Sequence, residues 1–295
     1  MFAGTSPANM ADVKQSEHRS MLQSYYASLE SRIGYRFILG GTRHFGYWKS
    51  DTWWPFPLTP ALRAMEQQLY QSLDLPAGSF VLDAGCGVGH VAMYMARKGL
   101  KVSGIDIVAR HALRAAQNVS RAGLSSSVDI QTGDYHHLPF PDASFDGMYT
   151  METFVHAFDP EGALREFWRV LRPGAHLAMH EYDHVPLDKA PSEYRKAMLE
   201  INFHTALPGN TRFEPGVLQE LLADAGFVDV RTRNMSENIT PMTRLFYVMG
   251  FLPWLIVCFF GLQKYFINTV SGVQMYRGRD MWRYISVTAR KPEKR

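Results

Sequence analysis

Val81-Leu82-Asp83-Ala84-Gly85-Cys86-Gly87-Val88-Gly89-His90 is an apolar run that meets three closely spaced glycines and then a helical pattern. Those glycines can take backbone angles closed to other residues and let the main chain approach a ligand, while the following helix offers unpaired N–H groups. The spacing is G-x-G-x-G, unlike the G-x-G-x-x-G of a dinucleotide loop, and no Lys-Ser or Lys-Thr follows as a phosphate loop requires. A pyrophosphate is therefore not demanded. Asp106 ends the next apolar run, Lys101 to Ile107, about twenty residues on, where a carboxylate accepts bonds from ribose hydroxyls. The ligand is expected to carry a ribose.

Outward from this loop, strands are expected at 80–84, 101–105, 128–132, 145–150, 175–181, 227–233 and 282–290. Helices are expected between them at 89–98, 108–122, 161–171 and 215–225. The alternation predicts an α/β fold, a doubly wound, seven-stranded, mostly parallel sheet. Before it, residues 1–10 read as disordered and 11–75 as a helical cap. The cap has an amphipathic helix from Val13 to about Arg32, an aromatic and glycine-rich connector, and a helix from Thr59-Pro60 to about Leu73. Residues 76–295 form the main domain, with insertions at 185–212 and 241–279 expected to make a lid over the substrate. The second insertion holds Leu245 to Leu262, uncharged and long enough for a membrane span, but interrupted by Gly250 and Pro253. A true span would strand the last strand across the bilayer from its sheet, so an apolar lid or an interfacial patch is expected instead.

With 46% hydrophobic residues in 295, one domain with an appended lid can bury a large core. The net charge of +3 comes from scattered basic residues, which argues against a nucleic-acid partner. Cys86 and Cys258 show neither metal spacing nor a disulfide framework. With no signal-like apolar segment at the start, a cytoplasmic location is expected, with peripheral membrane contact through 245–262 as the alternative.

The order of strand ends, Asp83 and the glycines, then Asp106, then Gly133-Asp134, resembles the class I S-adenosylmethionine-dependent methyltransferases. Within them, Tyr25-Tyr26, His44-Phe45-Gly46-Tyr47-Trp48 and Tyr149-Thr150-Met151-Glu152-Thr153-Phe154-Val155-His156-Ala157 resemble the sterol 24-C-methyltransferase group and its tocopherol and cyclopropane-forming relatives. The segment Ile33 to His44 departs from the more acidic, aromatic motif of true sterol enzymes. The resemblance implies S-adenosylmethionine as cofactor, held by Tyr26, Asp83, Gly85, Cys86, Gly87, Gly89, Asp106, Ile107, Asp134 and Tyr135. It also implies methyl transfer to a hydrophobic small molecule, with lid closure as the main catalytic device.

Oxygen methylation of a polyketide- or terpenoid-type metabolite is the leading expectation, because His156 lies at the carboxyl edge of the sheet and can take a proton near neutral pH. Glu152 is its partner or a cofactor contact, and His180 or Glu181 is a second acid or base. Carbon methylation of an alkene or sterol-like lipid, an accessory protein that binds the cofactor and templates a cyclisation, and a nicotinamide reductase are the alternatives. His180-Glu181-Tyr182-Asp183-His184 matches a zinc pattern, but it follows a strand and precedes Pro186, so its imidazoles are expected on extended chain and no metal is expected.

Overall fold

The computed structural model describes residues 7–31, 34 and 39–293. Helix α1, Pro7–Ala27, starts earlier than expected and takes in residues 7–10 of the segment expected to be disordered. The rest of that segment, residues 32–33 at the expected end of the helix, and 35–38 of the connector lie outside the described residues. Helix α2, Leu58–Leu73, buries Ala61, Met65, Leu69 and Leu73, a four-residue repeat that lays one apolar stripe on the sheet.

Among the described residues, seven strands form one sheet in the order β3-β2-β1-β4-β5-β7-β6. They are β1 Phe80–Ala84, β2 Lys101–Asp106, β3 Val128–Thr132, β4 Phe145–Met151, β5 Leu171–His184, β6 Val228–Asn234 and β7 Trp282–Arg290. Strand β7 runs antiparallel to both neighbours and the β1–β5 pairs are parallel. Helices α3 His90–Arg97, α4 Ala109–Arg121, α5 Pro160–Val170 and α7 Val217–Asp224 connect them. One core packs around Met65, Leu69, Val81 and Met95, and another around Leu82, Ile105, Met148 and Phe167. Val81 and Leu82, neighbours on β1, are thus buried on opposite faces, as a strand covered on both sides requires. The strand order reverses at β1 and β4, and the crevice outside their carboxyl ends is the ligand position of such folds.

The lid differs from expectation in one respect. Helix α8, Ser236–Phe259, runs unbroken through Gly250 and Pro253. Pro253 forfeits only the bond to the Met249 carbonyl, and Met249 is half exposed, so water can take that bond. Helices α6, Ser192–His204, and α9, Ile267–Arg277, complete the lid, and α9 leads directly into β7.

Candidate functional site

The glycine loop is fixed by its own strand neighbours. The N–H groups of Gly85 and Cys86 both donate to the Ile105 carbonyl, at 2.9 and 2.8 Å, which folds the chain sharply at the end of β1. Gly85 has φ +101°, and a Cβ there would stand 2.7 Å from Thr153, so position 85 excludes any side chain. Gly87 donates to Asp106 Oδ2 at 2.9 Å, and Val108 N–H donates to Oδ1 at 2.8 Å. Two backbone donors hold this carboxylate while leaving lone pairs for a ribose. Asp83, buried near the end of β1, accepts from Tyr149 Oη at 2.9 Å, and burial pushes its carboxyl up to about 7.

Over the loop lies Arg43, carried by the connector. Its guanidinium meets His111 Nε2 at 2.7 Å and sits over the Tyr26 ring at 4.8 Å. Asp83, Gly85, Cys86, Gly87 and Asp106 line a small cavity here together with Tyr26, Arg43, Glu152 and Thr153. Tyr26, Arg43, His44 and Glu152 also line a second cavity of about 420 Å³. That larger space is walled by α1, α6, α8, α9 and the ends of β4 and β5, with Met198, Met242, Phe246, Met249 and Met275 among its apolar residues.

Glu152 stands at the junction with φ +57°. Its carboxylate accepts from Phe45 N–H at 2.8 Å, from Tyr284 Oη at 2.9 Å and from Tyr182 Oη. Burial outweighs these bonds and raises its pKa. His156 follows in a turn held by Glu181, which accepts from Thr150 Oγ1 and Phe154 N–H, each at 2.8 Å. The Ala206 carbonyl lies 2.7 Å from His156 Nδ1, so Nδ1 carries the proton and Nε2 accepts from Tyr26 Oη at 3.2 Å. Burial lowers His156 to about 4, and the ring is neutral at physiological pH.

Not every expected site residue reaches a cavity. Gly89, Ile107, Asp134 and Tyr135 line neither. Gly89 instead starts α3, Asp134 accepts from His136 Nδ1 at 2.7 Å, and Tyr135 donates to the Thr153 carbonyl at 3.1 Å. His180 is enclosed on β5 beneath Tyr284, driven down to about 3 by burial, with neither ring nitrogen bonded among the described residues. It lines neither cavity. His180 and His184 pair with Ser286 and Trp282 of β7, so the zinc-like pattern is extended chain, as its context predicts. Arg43, His111 and Thr153 are the site residues that sequence reasoning missed. The signal for Arg43 was a cation inside an aromatic, glycine-rich connector; the other two carried none.

A family profile for the methyltransferase domain matches residues 82–179. The chain is 43% identical over 276 residues to an S-adenosyl-L-methionine-dependent Diels-Alderase, iccD, of Talaromyces variabilis, covering 92% of this chain and 94% of that one. It is 32% identical over 221 residues to the O-methyltransferase cnsE of Penicillium expansum, covering 72% and 75%, and sterol 24-C-methyltransferases are also relatives. Among solved structures, the [4+2]-cyclase SpnF superposes with a TM-score of 0.72 at 24% identity, over 94% of this chain and 97% of that one, a likeness of fold. A loop that donates from backbone to a ribose-reading acid, and that tolerates no side chain at position 85, suits the adenosyl cofactor these relatives share. The chain belongs to the class I S-adenosylmethionine-dependent methyltransferase family, and its cofactor is S-adenosylmethionine.

Proposed function

We propose that this chain, with its cofactor bound at the glycine loop, folds a lipophilic polyene inside the large cavity and joins a diene and an alkene of that molecule in a [4+2] cycloaddition. The observation that carries this reading is the state of the cavity's proton acceptors. Among the described residues, every carboxylate and imidazole on its wall has a bonded partner in the protein, while His44 Nε2, 3.6 Å from the buried Glu66 carboxylate, has no hydrogen bond. Glu30 accepts from the N–H groups of Asn268 and Thr269, Asp183 pairs with Arg283, and His44 meets the Phe45 carbonyl. His184 is held between the carbonyls of Val185 and Asn210, and Glu152 and His156 are engaged as described above.

Methylating an oxygen requires that the acceptor lose a proton, and a positioned base is the usual means. A cycloaddition requires none. Three π bonds are consumed, two σ bonds and one π bond form, and no proton or leaving group departs. What it needs is a held, folded conformation in a water-poor space, which can supply much of the barrier reduction by alignment alone. Methionine-rich, aromatic walls suit an irregular apolar guest. The extended similarity to a protein named as a Diels-Alderase supports the same reading. When bound, the cofactor would supply a sulfonium charge and would not be consumed. Tyr26, Arg43, His44 and Glu152, common to both cavities, are the residues through which the cofactor side meets the substrate side.

Oxygen methylation is the second reading, favoured by the O-methyltransferase relatives and by His156, whose Nε2 is released if Tyr26 moves with α1. The two readings separate in one experiment: purified protein, methyl-labelled cofactor and a synthetic linear polyene bearing a diene and an activated alkene. The expected product is a ring isomer of unchanged mass, with the label still on the cofactor. A product heavier by one methylene that carries the label, accompanied by the demethylated cofactor, overturns the proposal.

A further inference from the structure

The lid helix α8 has two unlike sides. Met242, Phe246, Met249 and Pro253 line the cavity, and α9 lies so close that a Cβ at Gly250 would stand 3.2 Å from Val273 and one at Gly272 would stand 3.2 Å from Phe246. Val248, Leu252, Leu255 and Phe259 recur at four- and three-residue intervals on the other side. Phe259 is 84% exposed, Val248 68% and Leu252 66%. Phe260 and Tyr265 extend the exposed surface past the helix end. Leu245 to Leu262 contributes no charge to it.

The helix is long and apolar enough to cross a membrane, and 17% of its most apolar eighteen residues are buried. Its inner side nevertheless rests on protein from Met242 to Val257, and the chain returns through α9 to β7 of the sheet. Lipid can therefore meet only the outer side. Around the apolar face stand cations on aromatic rings: Arg244 over Trp53 at 3.8 Å, Lys264 over Tyr265 at 4.9 Å, Arg277 over Trp254 at 5.0 Å and Arg279 over Tyr276 at 5.1 Å. Glu200 is the carboxylate that acts on Cys258 at this end.

We propose that this face docks on an anionic lipid surface, with α8 lying in the interface and the cavity on its inner side. An apolar stripe of this kind enters the headgroup boundary, aromatic rings settle at that level, and a basic rim draws it to anionic lipid. A second copy of the chain is the poorer occupant, because a two-fold pair would bring the cationic rim against itself. The inference is independent of the reaction proposed above.

The test is flotation of the whole chain with vesicles of phosphatidylcholine alone and of phosphatidylcholine with phosphatidylserine. The protein is expected to float with the anionic vesicles and to lose that association at high salt. Val248→Ser, Leu252→Ser and Phe259→Ser together, none of which lines a cavity, are expected to reduce vesicle association more than tenfold while leaving cofactor binding and the melting temperature in place. Lys264→Glu with Arg279→Glu is expected to cost roughly fivefold per residue on anionic vesicles only. This second variant carries the test if the first fails to fold. Absence of flotation with either vesicle overturns the proposal, as does a triple variant that floats like the original. A concentration-dependent dimer abolished by the triple variant, without vesicle association, assigns the face to a second copy and overturns it equally.

Discussion

On the glycine-loop side of the site, Gly85 and Cys86 donate to Ile105, and Gly87 and Val108 donate to Asp106, so the walls are backbone on adjacent strands. On the lid side, α1, the connector, α8 and α9 meet across an apolar space. Their polar ties join residues distant in sequence, such as Tyr25 to Asn268, Glu30 to Thr269, Trp48 to Asn238 and Tyr26 to His156. The first region is rigid because each donor is committed to a neighbour a fixed number of residues away. The second is held by side-chain bonds between segments far apart in sequence, set around an apolar cavity. The glycine loop and the apolar cavity are thus built by different kinds of contact, backbone bonds between adjacent strands in one and packing of distant segments in the other.

The largest effect is expected where the rigid side has no slack. Gly85→Val forces a strained backbone angle and overlap with Thr153, and should cost roughly 2–5 kcal/mol of stability together with cofactor binding measured by calorimetry. Retained binding would show that the loop yields like the lid.

Next is pH. Asp83 is raised by burial to about 7, so the unfolded chain ionises this group before the folded one does. Its contribution is fully present below the unfolded pKa of about 4 and is lost as pH rises to about 7. The Asp83→Asn variant, which still accepts from Tyr149, should gain on the original chain across that window in urea midpoints; a gap that stays constant with pH would rule this out. His156, lowered to about 4, has the opposite sign. The original chain should lose stability relative to His156→Gln as pH falls from about 6.5 to about 4.

A smaller effect is expected at the seam. Arg43→Gln removes the cation over Tyr26 and the bond to His111, and should weaken cofactor binding about three- to tenfold by isothermal titration. No change would place Arg43 with the lid alone. The smallest effect is on the lid's outer side. Leu252→Ser at an exposed position should shift stability by no more than about 0.5 kcal/mol, and a larger loss would mean that this face packs on protein.

The strand ends were legible because β1, β2 and β4 are short, enclosed and followed by turn residues that only certain side chains allow. Asp83, Gly85, Cys86, Gly87 and Asp106 sit together as their spacing implied. Asp134 and Tyr135 were placed by the same logic, yet they turn toward His136 and Thr153, because side-chain direction past a strand end is set by the loop's own hydrogen bonds. His156 and Glu152 were found, but their engagement was not, since Ala206, Tyr26, Tyr182 and Tyr284 come from four other parts of the chain.

Local spacing, then, determined the α/β order, the cofactor loop and an apolar segment near the end, because strand burial and glycine geometry act between residues close in sequence. Only the tertiary structure decided that Arg43 lies over that loop, that Glu152 and His156 are tied to protein at the cavity wall, and that α8 lines the cavity with one side while exposing the other. Those facts depend on contacts between residues as far apart as Tyr25 and Asn268, and pairings across such distances arise from packing rather than from period or propensity.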